Sequence, residues 1–384
     1  MSNNLEAIPF PIGFKVFESA HPSVLVNKAD GITTVKVEAR QMAHHQKEAI
    51  TTEGIEGDIW RTASDEGVHL KGTDLAPFPL GYFNAGLQGD LFQSMLLLAS
   101  QRNLEISAIK IKLINHYWLT GSFVLGTGHG HAEAPDIDIE IDSLAPQNEL
   151  KELVNDAIQF SPAMDFLKRK LKNTFAIYIN GRRRQVVGLR DSDEMNAADP
   201  FLTYPKMPIP CLPNPPIDLI QKLPSKVDGE PMLAPPSTNT KIMRDIYGVG
   251  IWQKGMPFAE IDTWLGLPGA SHFSFKTAVN SDQSYPTGLT LIASGVTYCF
   301  MTQLSRYIEN MKMPIDGIRV FQTNQFGIEG NLGRSFALDT HLYLNGTADD
   351  ETCTKLLQIS ERTCYLHATA IDTLEPKVTI KFHH

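Results

Sequence analysis

Four cysteines are the residues of this chain whose type most readily supports chemistry: Cys211, Cys299, Cys353 and Cys364. Four are too few to act as a disulfide scaffold for a chain of 384 residues. In a reducing compartment they are free thiols, metal ligands or redox-active groups. Because no two cysteines follow a Cys-x-x-Cys spacing, we expect no structural zinc site.

Two of these cysteines fall on predicted helices that should pack together. Cys299 lies in the apolar stripe of a helix that opens near Pro286 and Gly288, and Cys364 lies near the end of the following helix. A single thiol on an apolar face is usually a small core residue, whereas two on packed helices are a sharper sign of function. We interpret Cys353 and Cys211 as ordinary thiols without a role.

Histidines form a second group that could do chemistry. His129 and His131 alternate on a predicted strand, which would place both on one face. Alternating histidines can bind a metal, but no third ligand follows at a characteristic spacing. We therefore interpret them as solvated positions and expect no metal; a metal-dependent enzyme is the weakest alternative.

The elements that position these residues occur twice. Residues 139–179 can be laid on residues 342–382 without a gap at a constant offset of 203. Both segments begin with a period of two, continue with a period of 3.6 and end with a period of two. Upstream, Pro79 and Gly81 open a helix that corresponds to the one at Pro286 and Gly288. The sequence is therefore interpreted as an internal duplication.

A proline-rich stretch separates the two copies. The segment from Pro200 to Pro236 contains 11 prolines, which exclude a helix or a central strand. We expect one domain at 1–195, a connector at 196–240 and a second domain at 241–384. The predicted fold class is α+β: in each domain antiparallel strands are packed by two helices on one face. Before the first helix, Val68–Lys71 is predicted to complete a hairpin.

The context of both thiols resembles a known family. Cys299 ends the small-residue run Ala293-Ser294-Gly295-Val296-Thr297-Tyr298, and Cys364 follows it by 65 residues. This arrangement resembles the two motifs of the OsmC and organic hydroperoxide resistance family. The resemblance implies a tandem two-domain member whose halves form an intramolecular pseudo-dimer, because proteins of this family are intertwined homodimers. A further homodimer of the whole chain stays open.

The resemblance also implies an activity and its residues. Cys299 would be the peroxidatic thiol, which reduces an organic hydroperoxide or hydrogen peroxide and becomes a sulfenic acid. Cys364 would resolve it to a disulfide, and a small thiol or a dithiol-carrying protein would reduce that disulfide. No cofactor is implied. We expect Lys276 or Arg61 to stabilise the Cys299 thiolate, since a thiol in apolar surroundings stays protonated without a nearby cation.

Copy one departs from this pattern. Aligning Gly86 with Gly295 puts Asp90 opposite Cys299, and the offset of 203 puts Ser161 opposite Cys364. Neither side chain supports thiol chemistry, so copy one is predicted to be a degenerate site. In copy two, Leu289 stands where the family's peroxidases carry a glutamate. A non-catalytic protein that binds a small molecule in a pocket between the two domains is therefore the alternative function.

Composition limits the partners. The chain has 34 basic and 43 acidic residues, a net charge of -9, and 42% hydrophobic residues. This balance is typical of a globular protein and argues against a nucleic-acid binder. No stretch reaches the roughly 18–20 apolar residues of a membrane span, and the N-terminus lacks a signal pattern. We expect a cytoplasmic protein that acts on a small molecule, without nucleic acid or membrane.

Overall fold

The computed structural model describes residues 3–17, 31–54, 58–195, 197–202, 208–211, 218–233, 241–280 and 284–383. The first half contains strands β1 (Gly13–Lys15), β2 (Ile32–Gln41), β3 (Lys47–Glu53), β4 (Ile59–Ser64), β5 (Ala108–Thr120), β6 (His129–Asp142), β7 (Lys172–Ile179) and β8 (Arg182–Arg184). Its helices are α1 (Pro79–Gln101), α2 (Gln147–Phe160) and α3 (Pro162–Lys168).

The second half repeats this order. Its strands are β9 (Ile220–Leu223), β10 (Arg244–Gln253), β11 (Phe258–Leu265), β12 (His272–Ala278), β13 (Ile315–Glu329), β14 (Leu332–Gly346) and β15 (Lys377–His383). Its helices are α4 (Gly288–Met311), α5 (Asp350–Thr363) and α6 (Tyr365–Ile371). The α+β class is confirmed. The predicted strand at Val68–Lys71 is wrong, because Val68–Leu70 is a 3-10 turn that Lys71 ends with a positive φ of 65°.

The two sheets each contain strands of both halves. One sheet has the order β1-β4-β3-β2-β13-β14-β7-β8, and the other has the order β15-β6-β5-β10-β11-β12-β9. The halves join where β2 pairs with β13 and where β5 pairs with β10. The expectation of purely antiparallel strands is wrong at two places: β14 and β7 are parallel, as are β15 and β6. In both pairs the strand that follows the last helix of one half runs beside a long strand of the other.

Helices α1 and α4 cross at the centre of the molecule. A Cβ atom added at Gly86 would lie 2.6 Å from the carbonyl oxygen of Gly288, and one added at Gly295 would lie 3.0 Å from that of Pro79. An offset of 209 exchanges these two contacts, so the helices meet through equivalent positions of the two copies. Both helices are buried along most of their length. Among the described residues, no helix is long and apolar enough to cross a membrane.

Candidate active site

The structure brings two of the four cysteines together. Cys299 lies in the middle of α4, and Cys364 is the residue between α5 and α6. Both are free thiols and both are buried, with 3% of Cys299 and none of Cys364 exposed. The two thiols are neighbours, and Cys299 lies near enough to raise the pKa of Cys364. Thus residues 65 apart in the sequence share one site.

Cys364 is held as a protonated thiol. Burial raises the pKa of Cys364 well above its usual range, and the neighbouring Cys299 raises it further. The backbone N–H groups of Leu366 and His367 act in the opposite direction. The Nδ1 atom of His367 lies 3.2 Å from the Cys364 sulfur. Cys364 is therefore suited to act second, after the other thiol has reacted.

A buried lysine from the other half accompanies Cys299. Lys47, the first residue of β3, donates from Nζ to Thr302 Oγ1 at 2.9 Å, and Thr302 lies one turn beyond Cys299 on α4. Thr302 in turn donates to Glu66 Oε1 at 2.5 Å, and that oxygen lies 3.5 Å from Lys47 Nζ. The site is thus assembled from both halves of the chain.

Electrostatics couple this lysine to the thiol. Burial lowers the pKa of Lys47, and the negative charges of Glu66, Asp65 and a Cys299 thiolate oppose that shift. Lys47 is therefore close enough to Cys299 for the charges of the two side chains to interact.

The two cations predicted from the sequence lie elsewhere. Arg61 on β4 forms an ion pair with Glu48: its Nε and Nη2 atoms lie 3.0 and 2.8 Å from Glu48 Oε2. Its Nη1 atom also donates to the backbone carbonyls of residues 11 and 12. Lys276 on β12 extends over the Phe258 ring, with Nζ 5.5 Å from its centroid. Each is engaged by a neighbour on its own sheet, and no described contact joins either of them to Cys299.

Cys299 also lines a cavity of about 360 Å³. Its wall combines residues of both halves, including Glu66, His69 and Phe78 from the first and Arg244, Arg306 and Tyr365 from the second. The volume falls within the range of small-molecule sites. A small substrate in this cavity could reach the Cys299 sulfur.

The cavity wall carries two arginines beside three carboxylates, Glu66, Asp74 and Asp245, each of which is paired with another basic side chain. The guanidinium carbon of Arg306 lies 4.0 Å from the centroid of the Phe123 ring. Burial lowers the pKa of Arg306; the positive charge of Arg244 lowers it further, and the negative charge of Glu66 opposes the shift. Within the described part of the chain, neither arginine has a carboxylate within ion-pair distance; Glu66 is engaged by Lys47 instead. Burial and these two arginines lower the pKa of His69 to about 4, so His69 is neutral.

Sequence reasoning missed Lys47, Glu66 and Arg306. Arg306 could have been found, because it lies seven residues after Cys299 and therefore two turns along the same helix face. Lys47 and Glu66 gave no comparable signal, since only the folding of β3 and β4 against α4 brings them to the thiol. Leu289, which stands where the family has glutamate, packs against the hydrophobic core.

The corresponding position in copy one is a hydrogen-bonded pair. Ser161 donates to Asp90 Oδ2 at 2.5 Å, and the backbone N–H of Ala163 donates to the same oxygen at 3.1 Å. Burial raises the pKa of Asp90 to about 6. The two hydrogen bonds act to lower this pKa, and the nearby negative charge of Glu53 acts to raise it. Ser161 separates α2 from α3 with φ -76° and ψ 116°, close to the -74° and 115° of Cys364. Asp90 and Ser161 thus occupy the places of the two thiols.

The remaining candidates lie apart from this site. The ring of His131 stacks on Trp118 at 4.0 Å and on His129 at 4.9 Å. No three His, Cys, Asp or Glu side chains of the described ranges are grouped so that they could hold a metal. Cys353 is buried in α5, where burial raises its pKa to about 11, and Cys211 is half-buried in the connector.

Comparison with known proteins identifies part of the chain. Residues 281–381 match the family model described as OsmC-like protein. A crystal structure described as an OsmC-like hydroperoxide resistance protein from Jannaschia sp. CCS1 is 19% identical and covers 32% of this chain and 83% of that chain. Its TM-score is 0.20, too low for the structural likeness to add to the assignment. No curated protein matches the chain. Residues 281–381 are therefore similar to the OsmC-like family, which confirms the family resemblance for that segment.

Proposed function

We propose that the protein reduces organic hydroperoxides, or hydrogen peroxide, through Cys299 and Cys364. The observation that supports this most directly is the contact between two free thiols, one of which lines a cavity. An OsmC-like domain around both cysteines is consistent with the proposal, as this family is linked to hydroperoxide resistance.

In the first step the Cys299 thiolate attacks the terminal oxygen of the hydroperoxide. The O–O bond breaks, the alkoxide takes up a proton and leaves as an alcohol, and Cys299 becomes a sulfenic acid. The ammonium of Lys47 stabilises the thiolate before the attack. Arg306 supplies a second positive charge to the cavity in which the negative charge moves onto the leaving oxygen.

In the second step Cys364 attacks the sulfur of the Cys299 sulfenic acid. A disulfide forms and one water leaves. A small thiol or a dithiol-carrying protein then reduces the disulfide by exchange and returns both thiols. No cofactor is needed for any of these steps.

We further propose that the chain is a tandem of two related domains, 1–195 and 241–384, that form a pseudo-dimer through the connector at 196–240. The exchange of strands between the halves and the reciprocal glycine contacts of α1 and α4 support this interpretation. The first domain then serves as the partner that supplies Lys47 and Glu66. In this proposal the protein is a cytoplasmic antioxidant enzyme that acts in a stress response.

Peroxide consumption by single-cysteine variants tests the activity. Cys299→Ser is expected to abolish the turnover of cumene hydroperoxide with dithiothreitol as the reductant. Cys353→Ser is the matched control, since Cys353 is also a buried helical thiol but lies apart from the pair, and it should retain turnover. Unchanged turnover by Cys299→Ser would remove the proposal.

A second candidate is a non-catalytic protein that binds a small molecule in the same cavity. The two arginines of the cavity wall support this candidate, because Arg244 and Arg306 lack an ion-pair partner among the described residues. Both arginines are half-buried, and a cation in a partly desolvated cavity without a carboxylate beside it would be stabilised by a bound carboxylate. The ligand would therefore be an apolar molecule with one anionic group.

Binding measured without redox chemistry tests this candidate. Calorimetric titration of the Cys299→Ser protein with decanoate should give saturable binding that Arg306→Met weakens. A Lys254→Met variant is the control, because Lys254 is an exposed lysine paired with Glu105. The absence of saturable decanoate binding would exclude this candidate.

A further inference from the structure

His367 is a fully buried histidine beside the second thiol. It lies on the first turn of α6, and its Nδ1 atom is 3.2 Å from the Cys364 sulfur. Its ring packs between Phe175 of β7 and Phe300 of α4, at 5.5 and 5.2 Å between centroids. Within the described part of the chain, its Nε2 atom is buried without a hydrogen-bond partner. Among the described residues, the structure thus places this imidazole against the Cys364 sulfur and the rings of Phe175 and Phe300.

The other copy shows that the fold does not require a histidine here. The offset of 203 between the copies aligns α3 (Pro162–Lys168) with α6 (Tyr365–Ile371) and puts Met164 opposite His367. Met164 is also fully buried. A flexible apolar side chain thus fills this position where Ser161 replaces the thiol. Copy two instead holds a polar ring, and burying it without a full set of hydrogen bonds is unfavourable.

We propose that His367 is a catalytic base and acid for disulfide formation, taking the proton of Cys364 as that thiol attacks Cys299. This inference rests on the proposed peroxidase function for its natural setting. The acceptor is Nδ1, which requires the tautomer that carries its hydrogen on Nε2. In this tautomer the Nε2–H group is buried without a hydrogen-bond partner, and Nδ1 is left free to accept a proton.

The protons and electrons of the step balance. The Cys364 S–H bond breaks and its hydrogen moves to Nδ1 of His367. The sulfur electron pair forms the S–S bond with Cys299, and the Cys299 S–O bond breaks. The departing hydroxide receives the proton from His367 and leaves as water. Cys364 is oxidised and the sulfenic acid is reduced, so no further oxidant or reductant enters.

The surroundings of His367 keep it neutral and able to accept this proton. Burial alone lowers the pKa of His367 to about 4. The elements packed against it present the aromatic rings of Phe175 and Phe300, and Cys364 is the one titratable group in described contact with it. Above about pH 5 the base is therefore present at full strength, and its contribution should not change with pH.

The test measures the formation of the Cys299–Cys364 disulfide, first after oxidation of Cys299 by a peroxide and then after its modification by a reagent that is not a peroxide. His367→Met copies the residue of the other half, and His367→Gln keeps a polar side chain, so a folding defect in one variant leaves the other available. Each is made in a Cys211→Ser background, so that the half-buried connector thiol does not react. One equivalent of cumene hydroperoxide starts the reaction; disulfide formation is followed by intact mass, and the sulfenic acid is trapped with dimedone. Cys364→Ser is the reference protein that cannot form the disulfide.

Wild-type protein is expected to form the disulfide at a rate that is constant between about pH 5.5 and 8. In both His367 variants the single equivalent of peroxide should still oxidise Cys299 to the sulfenic acid, whereas repeated turnover should slow together with disulfide formation. The variants should form the disulfide on the order of 100-fold more slowly, accumulate the dimedone adduct, and gain about tenfold in rate per pH unit. A structural role for His367 would not create that pH dependence. Disulfide formation at the wild-type rate with a flat pH profile in both variants would overturn the proposal.

A second trigger separates this inference from the proposed function. Methyl methanethiosulfonate places a methylthio group on Cys299, which Cys364 then displaces as methanethiol in the same kind of attack. The same loss in rate is expected for the His367 variants. If wild-type protein ignores peroxide but resolves the methylthio adduct with the aid of His367, the peroxidase function fails and the role of His367 stands. If neither trigger shows a dependence on His367, the role fails.

Discussion

Asp90 provides a quantitative test of the idea that copy one retains the place of a thiol site without its chemistry. Its carboxyl group is buried on α1, and burial raises its pKa from 3.8 to about 6. The folded state therefore holds this proton more tightly than the unfolded chain does. Below pH 3.8 the carboxyl is neutral in both states, and the folded protein loses stability as the pH rises from 3.8 to about 6.

The size of this loss follows from the two pKa values. The folded-state pKa of about 6 lies above the ordinary value of 3.8. This difference corresponds to a loss of about 3 kcal/mol in the free energy of unfolding. Asp90→Asn removes the ionisation and keeps an oxygen that can accept from Ser161 and Ala163. The variant should gain about 3 kcal/mol in the free energy of unfolding relative to wild type between about pH 4 and pH 7.

Urea unfolding of both proteins at several pH values measures this difference directly. Subtracting the two curves cancels titrating groups that the substitution does not touch, including most of the effect of Glu53. The same substitution at Asp156, which is half-exposed and paired with Arg102, is the matched control and should leave the curve nearly parallel to wild type. A difference between wild type and the Asp90→Asn variant that stays constant from about pH 4 to pH 7 would refute the reasoning.

Three further predictions concern the site and its frame. Lys47→Met should slow the alkylation of Cys299 by iodoacetamide by about tenfold or more, since Cys299 loses a nearby positive charge, whereas an equal rate would exclude that role. Asp90→Cys combined with Ser161→Cys should form a second disulfide on mild oxidation, detectable as a linked peptide; two persistent thiols would contradict the equivalence of the copies. Gly86→Ala should lower the free energy of unfolding by about 1–3 kcal/mol, because its Cβ would meet the backbone of α4, and an unchanged denaturant midpoint would argue against the helix contact.

The order of elements in both halves could be predicted from the sequence. Pro79 and the Pro286–Gly288 turn mark the starts of α1 and α4, as expected, because proline fits the first turn of a helix and the apolar residues that follow have a helical period. The meeting of Cys299 and Cys364 also followed from two thiols on helices that pack together. The reason is that hydrophobic periodicity identifies the buried face of each helix.

The neighbours of each strand could not be predicted in this way. Periodicity shows which face of a strand is buried and says nothing of which strand lies beside it. The pairing of β2 with β13 brings the first half against α4, and this placement carries Lys47 to a thiol 252 residues away in the chain. Arg61 and Lys276 were chosen by the type of residue alone, and their nearest partners on the sheets decide that they serve elsewhere.

The central claim is that Cys299 and Cys364 form a redox pair, and a thiol count tests it most directly. The four free thiols and the intact mass are measured before and after one equivalent of cumene hydroperoxide. We predict the loss of two thiols and one peptide that links Cys299 to Cys364. Survival of all four thiols in an excess of the oxidant would contradict the claim and leave the cavity as a binding site.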